Sequence, residues 1–195
     1  MDYQLEQWVN GPAGSSSVLD TVMRDAANWG QWIFAGIVVA WLIYGWVRGG
    51  RRDRWGAIAA LISAAIALGI NQILGHLWVR PRPFIAHPDT VHTLIAHAND
   101  GSFPSDHAAA GFAIAMTLWL MHRRWGTVAL VAAVVMSYAR VFDGVHYPGD
   151  VLAGALIGIA VSWAVVRWGE RPLVAVETSL DRGARRLHLP IPRTD

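Results

Sequence analysis

The sequence predicts an all-α integral membrane protein, a helical bundle of about five transmembrane helices with a further N-terminal helix at the membrane interface. Two observations predict this class. Of the 195 residues, 54% are hydrophobic and only 15% are charged, whereas a soluble domain typically has about 25% charged residues. The apolar residues also fall into five long runs, and the short polar segments between them contain most of the basic side chains.

The same composition excludes several other classes of protein. A chain with this apolar content is not intrinsically disordered. There is no cysteine, so a disulfide scaffold, an iron–sulfur cluster and a thiolate zinc site are all excluded. Nucleic acid is not an expected partner, because the basic residues form short clusters between apolar runs instead of one continuous patch.

Residues 1–30 precede the first apolar run and are expected to form an outer segment. They lack the basic start and the apolar core of a signal peptide. The stretch from Ser17 to Asp25 has the pattern of an amphipathic helix lying along the outer surface, capped by Ser16 or Ser17. We expect a transmembrane domain to follow over residues 31–169 and a cytoplasmic tail over residues 170–195.

The expected membrane spans are the five apolar runs. A helix needs about 20 residues to cross about 30 Å of hydrocarbon. The third run is short, and we expect its helix to begin upstream at Ser102 or Ser105, with its polar start in a pocket lined by protein. The runs are residues 31–47, 55–74, 108–121, 126–142 and 151–168.

The distribution of arginine predicts the orientation of the chain. All sixteen basic residues are arginine, and twelve of them lie in segments that alternate spans would place on one face. Positive residues mark the cytoplasmic side, so the N-terminus is expected outside and the C-terminus in the cytoplasm. The four arginines on the other face are Arg24, Arg80, Arg82 and Arg140.

Two segments on the expected outer face carry far more polar chemistry than short loops need. Residues 75–107 include Arg-Pro-Arg-Pro at 80–83 and Ser-Phe-Pro-Ser-Asp-His at 102–107, and residues 137–150 include an arginine, a histidine and two aspartates. Ionisable groups near membrane depth are costly, so such a concentration indicates a functional site.

These residues suit the binding of an anion. Ser105 and Asp106 can cap a helix that begins near His107, and the free amides of its first turn would attract negative charge. Arg82 and Arg140 supply planar guanidinium groups that match the oxygens of a phosphate.

They also suit phosphoryl transfer. Asp150 follows His146 by four residues, so its carboxylate can orient one ring nitrogen and leave the other free to attack phosphorus. His107 lies on a separate helix and could protonate the leaving group from the opposite side. Such a site requires neither a metal nor another cofactor.

Together, these motifs resemble the type 2 phosphatidic-acid phosphatase superfamily, whose pattern is Lys-x6-Arg-Pro, then Pro-Ser-Gly-His, then Ser-Arg-x5-His-x3-Asp. Arg82-Pro83 matches the end of the first part, residues 104–107 match the second, and Arg140-x5-His146-x3-Asp150 matches the third. The match spans about residues 71–154, and three motifs in this order with these gaps are highly specific.

The chain departs from the family pattern at three positions. Gly75 occupies the lysine position, and Arg80 and His76 are the candidates to replace that charge. Asp106 stands where many members have glycine, and Ala139 takes the usual place of the serine. Residues 71–78, with the Arg-Pro-Arg-Pro-Phe and Ser-Phe-Pro-Ser-Asp-His sequences that follow, are similar to the bacitracin-resistance branch of undecaprenyl-diphosphate phosphatases.

The resemblance implies a multi-pass phosphatase of the bacterial plasma membrane with an outward-facing site. It would hydrolyse a polyprenyl diphosphate, undecaprenyl or decaprenyl, to the monophosphate. His146 would form a phosphohistidine, Asp150 would hold its ring, and His107 would protonate the leaving group. The phosphate oxygens would be bound by Arg82, Ser105, Asp106 and Arg140.

Several alternatives remain open at this point. The substrate could instead be phosphatidylglycerophosphate, phosphatidic acid or a polyprenyl-phosphosugar phosphate. A protein of another class, one that binds or transports lipid without catalysis, would use the arginines to hold headgroups. The sequence does not specify the oligomeric state, nor a role for Asp143. We expect His87, His92 and His97 to lie in a solvated interfacial loop, because a spacing of five residues fits no helix or strand face.

Overall fold

The structure is a computed structural model that describes residues 1–48 and 50–169, and the expected tail over residues 170–195 lies outside them. All regular structure in these residues is helical, which confirms the predicted fold class. The seven helices are α1 (Asp2–Asn10), α2 (Ser17–Val47), α3 (Arg51–Leu77), α4 (Pro83–Ala86), α5 (Asp106–Met121), α6 (Arg123–Phe142) and α7 (Pro148–Trp168). Four of them, α2, α3, α6 and α7, are long and apolar enough to cross a membrane.

The N-terminal region differs from the sequence prediction. The residues expected to form a separate amphipathic helix from Ser17 are the first turns of α2, which continues to Val47. Ser16 is its N-cap and accepts a hydrogen bond from the Leu19 amide. Because no proline interrupts residues 17–47, nothing ends the helix at the membrane surface. The short helix at the N-terminus is α1, which the sequence analysis did not predict.

Helix α5 is the short central helix of the bundle. It has 16 residues and begins at Asp106, with Ser105 at its N-cap position. A start at Ser102 is therefore wrong, because the residue that precedes Pro104 is disfavoured in helical conformation. The helix packs against α2, α3, α6 and α7. The helix is about 24 Å long. This length is sufficient for a helix in a membrane bundle, because the polar start of α5 is enclosed by protein and not by lipid.

Two glycines allow α7 to pack closely on α5. A side chain at Gly154 would collide with the Ser105 carbonyl oxygen, and one at Gly158 would collide with the Ala109 carbonyl oxygen. The small residues thus serve contact within the monomer. The close approach places the starts of the two helices side by side, where the Ser105 amide donates to the Asp150 carbonyl at 3.0 Å.

The bundle has two chemically different ends. The starts of α5 and α7 lie at one end with the last turns of α3 and α6, as the contacts of Asn71 with Asp106 and of Asn10 with Phe142 show. Helix α1 lies at this end. At the other end, Asp53 of α3 contacts His122 beyond α5. Seven of the described arginines lie at or near this second end: Arg48, Arg51, Arg52, Arg54, Arg123, Arg124 and Arg167.

Candidate active site

A cavity of about 390 Å³ opens at the end of the bundle where α5 and α7 begin. His107 comes from the first turn of α5, His146 from the segment just before α7, and Arg82 from the loop before α4. All three line this cavity. The structure thus brings together two histidines that the sequence places on different elements, and it adds the arginine of the first motif to them.

The hydrogen bonds of His146 determine which of its ring nitrogens carries the proton. Its Nδ1 lies 2.9 Å from the Ser102 carbonyl oxygen, and a carbonyl can only accept, so Nδ1 carries the hydrogen. Arg82 Nη1, which can only donate, lies 3.3 Å from Nε2. In this tautomer the lone pair of Nε2 is available to attack an electrophile.

Asp150 lies beside His146 without making the closest contact to its ring. Oδ2 of Asp150 is 3.7 Å from His146 Nδ1, beyond a good hydrogen bond. This oxygen accepts the Tyr147 amide at 2.9 Å, and Oδ1 accepts Arg80 Nη1 at 2.8 Å. The carboxylate, which is fully buried, is therefore fixed near the ring, while Nδ1 donates its direct hydrogen bond to the Ser102 carbonyl oxygen.

His146 is uncharged at neutral pH. Only 3% of its surface is exposed, and this burial lowers its pKa to about 4. Asp150 acts in the opposite direction, whereas the positive charges of Arg140 and Arg82 lower the pKa further. The neutral ring that a nucleophile requires is thus the stable form.

Arg82 is held rigidly at the cavity wall. It is buried, with 4% of its surface exposed. Its Nε donates to Asp100 Oδ1 at 2.8 Å and its Nη1 donates to the Val145 carbonyl at 2.9 Å. A guanidinium fixed in this way is oriented in advance for an anion.

Arg140 and Ser105 are buried and carry unused hydrogen-bonding groups. Nε and Nη2 of Arg140, and Oγ of Ser105, have no hydrogen-bond partner among the described residues. A buried guanidinium without a carboxylate partner favours a bound anion. Ser105 occupies the N-cap position of α5, yet its side chain makes no capping bond, so the expected cap is wrong.

Asp106 is not a helix cap either. It lines the cavity, but its two oxygens accept Asn71 Nδ2 at 3.0 Å and Gln72 Nε2 at 3.1 Å. Because these amides come from α3, the side chain points across to that helix instead of back to the amides of α5. Its carboxylate connects α5 to α3 at the wall of the cavity.

The two candidates for replacing the missing lysine lie in different places. Gly75 lines the cavity and so does His76, whose Nδ1 lies 2.6 Å from the Gln72 carbonyl oxygen. Arg80 points elsewhere and pairs with Asp150 and Asp2. Of these two residues, His76 is therefore the one that reaches the cavity.

Sequence reasoning missed several residues of this region. His97 lies in an irregular segment, as expected, but it is partly buried and lines the cavity, with its ring centroid 6.5 Å from that of His146. Burial and the charge of Arg82 lower the pKa of His97. His87 stacks on Tyr3 at 3.6 Å. An irregular segment has no periodic pattern, so no signal could have separated these histidines.

Asp143, the residue that follows α6, is a fully buried carboxylate. Neither of its oxygens has a hydrogen-bond partner in the part of the chain that the structure describes. Burial raises the pKa of Asp143 to about 6, while the charge of Arg140 acts against this rise.

A second, largely apolar cavity of about 520 Å³ adjoins the first. Asp106 and His107 line both cavities. Phe34 and Val38 of α2 and Leu61 of α3 also line the second cavity. It therefore leads from the histidine of α5 into the apolar part of the bundle.

A helical membrane bundle whose cavity places two histidines beside a buried arginine is the arrangement expected of a membrane phosphatase. Residues 56–172 match the sequence model of the PAP2 superfamily, and the chain belongs to this family. It is therefore a phosphatase, which is a class of hydrolase, and an integral bacterial membrane protein.

Known relatives agree with this assignment. The chain is 32% identical over 176 residues to undecaprenyl-diphosphatase BcrC of Bacillus subtilis (strain 168), covering 89% of this chain and 88% of that protein. It is 35% identical over 154 residues to a protein named bacitracin transport permease protein BcrC of Bacillus licheniformis, covering 78% and 73%. The crystal structure of Aquifex aeolicus LpxE has the same fold, with a TM-score of 0.66, 23% identity, and coverage of 86% and 95%.

Proposed function

We propose that this protein hydrolyses a polyprenyl diphosphate to the monophosphate and inorganic phosphate through a phosphohistidine intermediate. The observation that carries the proposal is the neutral His146, whose unprotonated Nε2 lies 3.3 Å from Arg82 Nη1 in the cavity that His107 also lines. The relative named undecaprenyl-diphosphatase supports the choice of substrate.

In the first step, Nε2 of His146 attacks the terminal phosphorus. The N–P bond forms as the bond from phosphorus to the bridging oxygen breaks. The leaving polyprenyl monophosphate takes a proton from His107, whose protonated form is favoured by the negative charge of the bound diphosphate. Arg82, Arg140 and Ser105 bind the phosphoryl oxygens, where charge is spread in the transition state.

In the second step, water attacks the phosphorus of the phosphohistidine. His107, now neutral, accepts a proton from this water, the N–P bond breaks, and Nε2 recovers its electron pair. Inorganic phosphate leaves and His107 is protonated again, so both histidines return to their starting states. Asp150 stabilises the positive charge on the ring while Nε2 is bound to phosphorus.

The apolar cavity next to His107 supports a lipid substrate. We propose that the polyprenyl tail leaves the catalytic cavity at His107 and lies among the apolar residues of α2, α3 and α5 that line the second cavity. Burial of hydrocarbon there contributes about 25 cal/mol per Å². The tail then stays within the hydrophobic layer during the reaction.

The distribution of charge supports an outward-facing site. Seven described arginines lie at the end opposite the cavity, and positive residues favour the cytoplasmic face. We therefore propose that the cavity opens to the outside of the plasma membrane and that the chain continues into the cytoplasm after α7.

Replacement of His146 tests the proposal. His146→Ala removes the nucleophile and is expected to lower kcat by at least about 10³-fold, roughly 4 kcal/mol of barrier. The measurement is phosphate release by purified protein from a panel of polyprenyl diphosphates, polyprenyl monophosphates, phosphatidic acid and phosphatidylglycerophosphate. The panel also decides between the polyprenyl substrate and the other lipid phosphates.

A matched control is His92→Ala, because the His92 side chain is exposed and only its backbone atoms bond to Asn10. This variant is expected to keep activity within about twofold of the parent. Activity of His146→Ala within tenfold of the parent would refute the histidine mechanism. A lipid-binding or transport protein would release no phosphate from any member of the panel.

A further inference from the structure

The N-terminal helix α1 is connected directly to the start of α7. Oδ2 of Asp2 lies 2.7 Å from Arg80 Nη2, and Oδ1 accepts the Gly149 amide at 2.9 Å. One carboxylate of α1 therefore contacts both an arginine of the outer loop and the residue immediately before Asp150.

Arg80 connects this carboxylate to Asp150. While Nη2 pairs with Asp2, Nη1 donates to Asp150 Oδ1 at 2.8 Å. The guanidinium carbon lies 3.7 Å from the centre of the Tyr147 ring, and a cation over an aromatic face is attracted to it. With the Tyr147 amide on its other oxygen, Asp150 is held from both sides.

The backbone of Arg80 supports the other partner of His146. The Ser102 amide donates to the Arg80 carbonyl at 2.8 Å, and the Ser102 carbonyl accepts from His146 Nδ1 at 2.9 Å. The two residues beside Nδ1 thus both bond to Arg80, Ser102 through its amide and Asp150 through Oδ1, the carboxylate oxygen that does not face the ring.

We propose that Asp2 and Arg80 are positioning residues for His146, so that α1 is a working part of the active site. This inference rests on the proposed function, since it requires His146 to be the nucleophile. Arg80 fixes the carboxylate that stabilises the positive ring of the phosphohistidine, and Asp2 fixes the plane of the Arg80 guanidinium. Neither residue lines the catalytic cavity.

Asp2 can be changed without releasing α1 from the molecule. At the C-terminal end of α1, Asn10 bonds to the backbone of His92 and of Phe142. Near its start, Tyr3 bonds to Thr90 Oγ1 at 2.6 Å and stacks on His87. These contacts do not involve Asp2, so Asp2→Asn tests positioning and leaves the helix attached.

The test compares Arg80→Gln, Asp2→Asn and the double variant in steady-state kinetics on the polyprenyl diphosphate. We expect kcat to fall about 10- to 100-fold in Arg80→Gln and about 3- to 10-fold in Asp2→Asn, with KM within about threefold of the parent in both. Because both residues act on the same carboxylate, the double variant should lose much less than the product of the two single losses.

The pH profile provides a readout that a merely structural role would not change. In Arg80→Gln the charge of Asp150 is no longer balanced, which raises the pKa of His146, so the acid limb of kcat/KM should move to higher pH. Arg80→Lys keeps the positive charge and should restore the position of this limb. The other charged or titratable groups that act on His146 are unchanged, namely Arg82, His97, His107 and Arg140.

Matched controls are Asp25→Asn and Arg24→Gln, exposed residues near the start of α2. The melting temperature of each variant checks that it folds. If Arg80→Gln does not fold, Arg80→Lys is used in its place. Losses in KM instead of kcat, an unmoved acid limb or multiplicative effects would overturn the inference. His146→Ala is assayed in parallel: if it is inactive while Arg80→Gln behaves like the parent, only this inference fails, whereas an active His146→Ala refutes the proposed function itself.

Discussion

A single backbone carbonyl decides the chemistry of His146. The Ser102 oxygen holds the proton on Nδ1, so that Nε2 faces Arg82 with its lone pair. The sequence motifs predict His146 itself and the neighbouring aspartate. They could not predict the role of Ser102, because it acts through its main chain and any residue type would supply the same oxygen.

The protonation of His146 leads to a prediction on pH dependence. Burial lowers its pKa to about 4, and a protonated ring has no lone pair on Nε2 to attack phosphorus. The value of kcat/KM should therefore stay high on the acid side of neutrality and fall only as the pH drops through about 4. The measurement is kcat/KM between pH 3.5 and 8 in buffers of constant ionic strength. An acid limb near pH 6.5, the ordinary value for histidine, would contradict the buried environment.

At the scale of helices, the sequence predicted most of the membrane spans but not the short N-terminal helix or its contacts with the loop residues. The ends of α6 and α7 follow the apolar runs closely, since long uninterrupted apolar segments bounded by arginine or proline leave little choice. The short helix α1 before Ser17 was not predicted, because it depends on contacts of Tyr3 and Asn10 with residues 87–92. Such contacts between distant segments leave no local pattern.

The packing of α7 on α5 gives a second prediction. Gly158→Ala would place a methyl group against the Ala109 carbonyl and 2.8 Å from the Ala113 amide. Overpacking of this kind costs about 1 to 3 kcal/mol, and it should push α7 away from α5, so that Asp150 separates from Ser105. We expect a lower melting temperature and a lower kcat. The measurements are thermal unfolding in detergent and the phosphate-release assay.

Gly36→Ala is the matched control for this substitution. Gly36 lies within α2, and an added methyl group would meet nothing within 4 Å. Because alanine is the better helix former by about 1 kcal/mol, this variant should be at least as stable as the parent. Equal effects of the two substitutions would show that close packing of α5 and α7 is unimportant.

At the scale of the whole molecule, charge and chemistry are separated along the bundle axis. The cavity, Arg82 of its lining and α1 lie at one end, and most of the other described arginines lie at the opposite end. The overall class and this polarity could be predicted from composition and from the spacing of arginine, because both follow from the cost of moving charge into hydrocarbon.

At this scale we predict that the end of the bundle with the cavity faces the outside of the cell. The chain has no cysteine, so a single introduced thiol is a unique label. Asn99 lies in the loop before α5 and Arg124 in the first turn of α6, and both side chains are exposed, so Asn99→Cys and Arg124→Cys place a thiol at opposite ends of the bundle. A membrane-impermeant maleimide added to intact cells should label the first variant, and the second only after permeabilisation. The reverse result would place the cavity in the cytoplasm.

The meeting of two unlike cavities at His107 has a consequence for how the products separate. One cavity is lined by charged and polar side chains and by loop residues, and the other is largely apolar and lies between α2, α3 and α5. Under the proposed reaction, the small ion and the long lipid diffuse away in different directions, each into the medium that dissolves it. Neither product obstructs the other, and the hydrocarbon chain is never extracted into water between one turnover and the next.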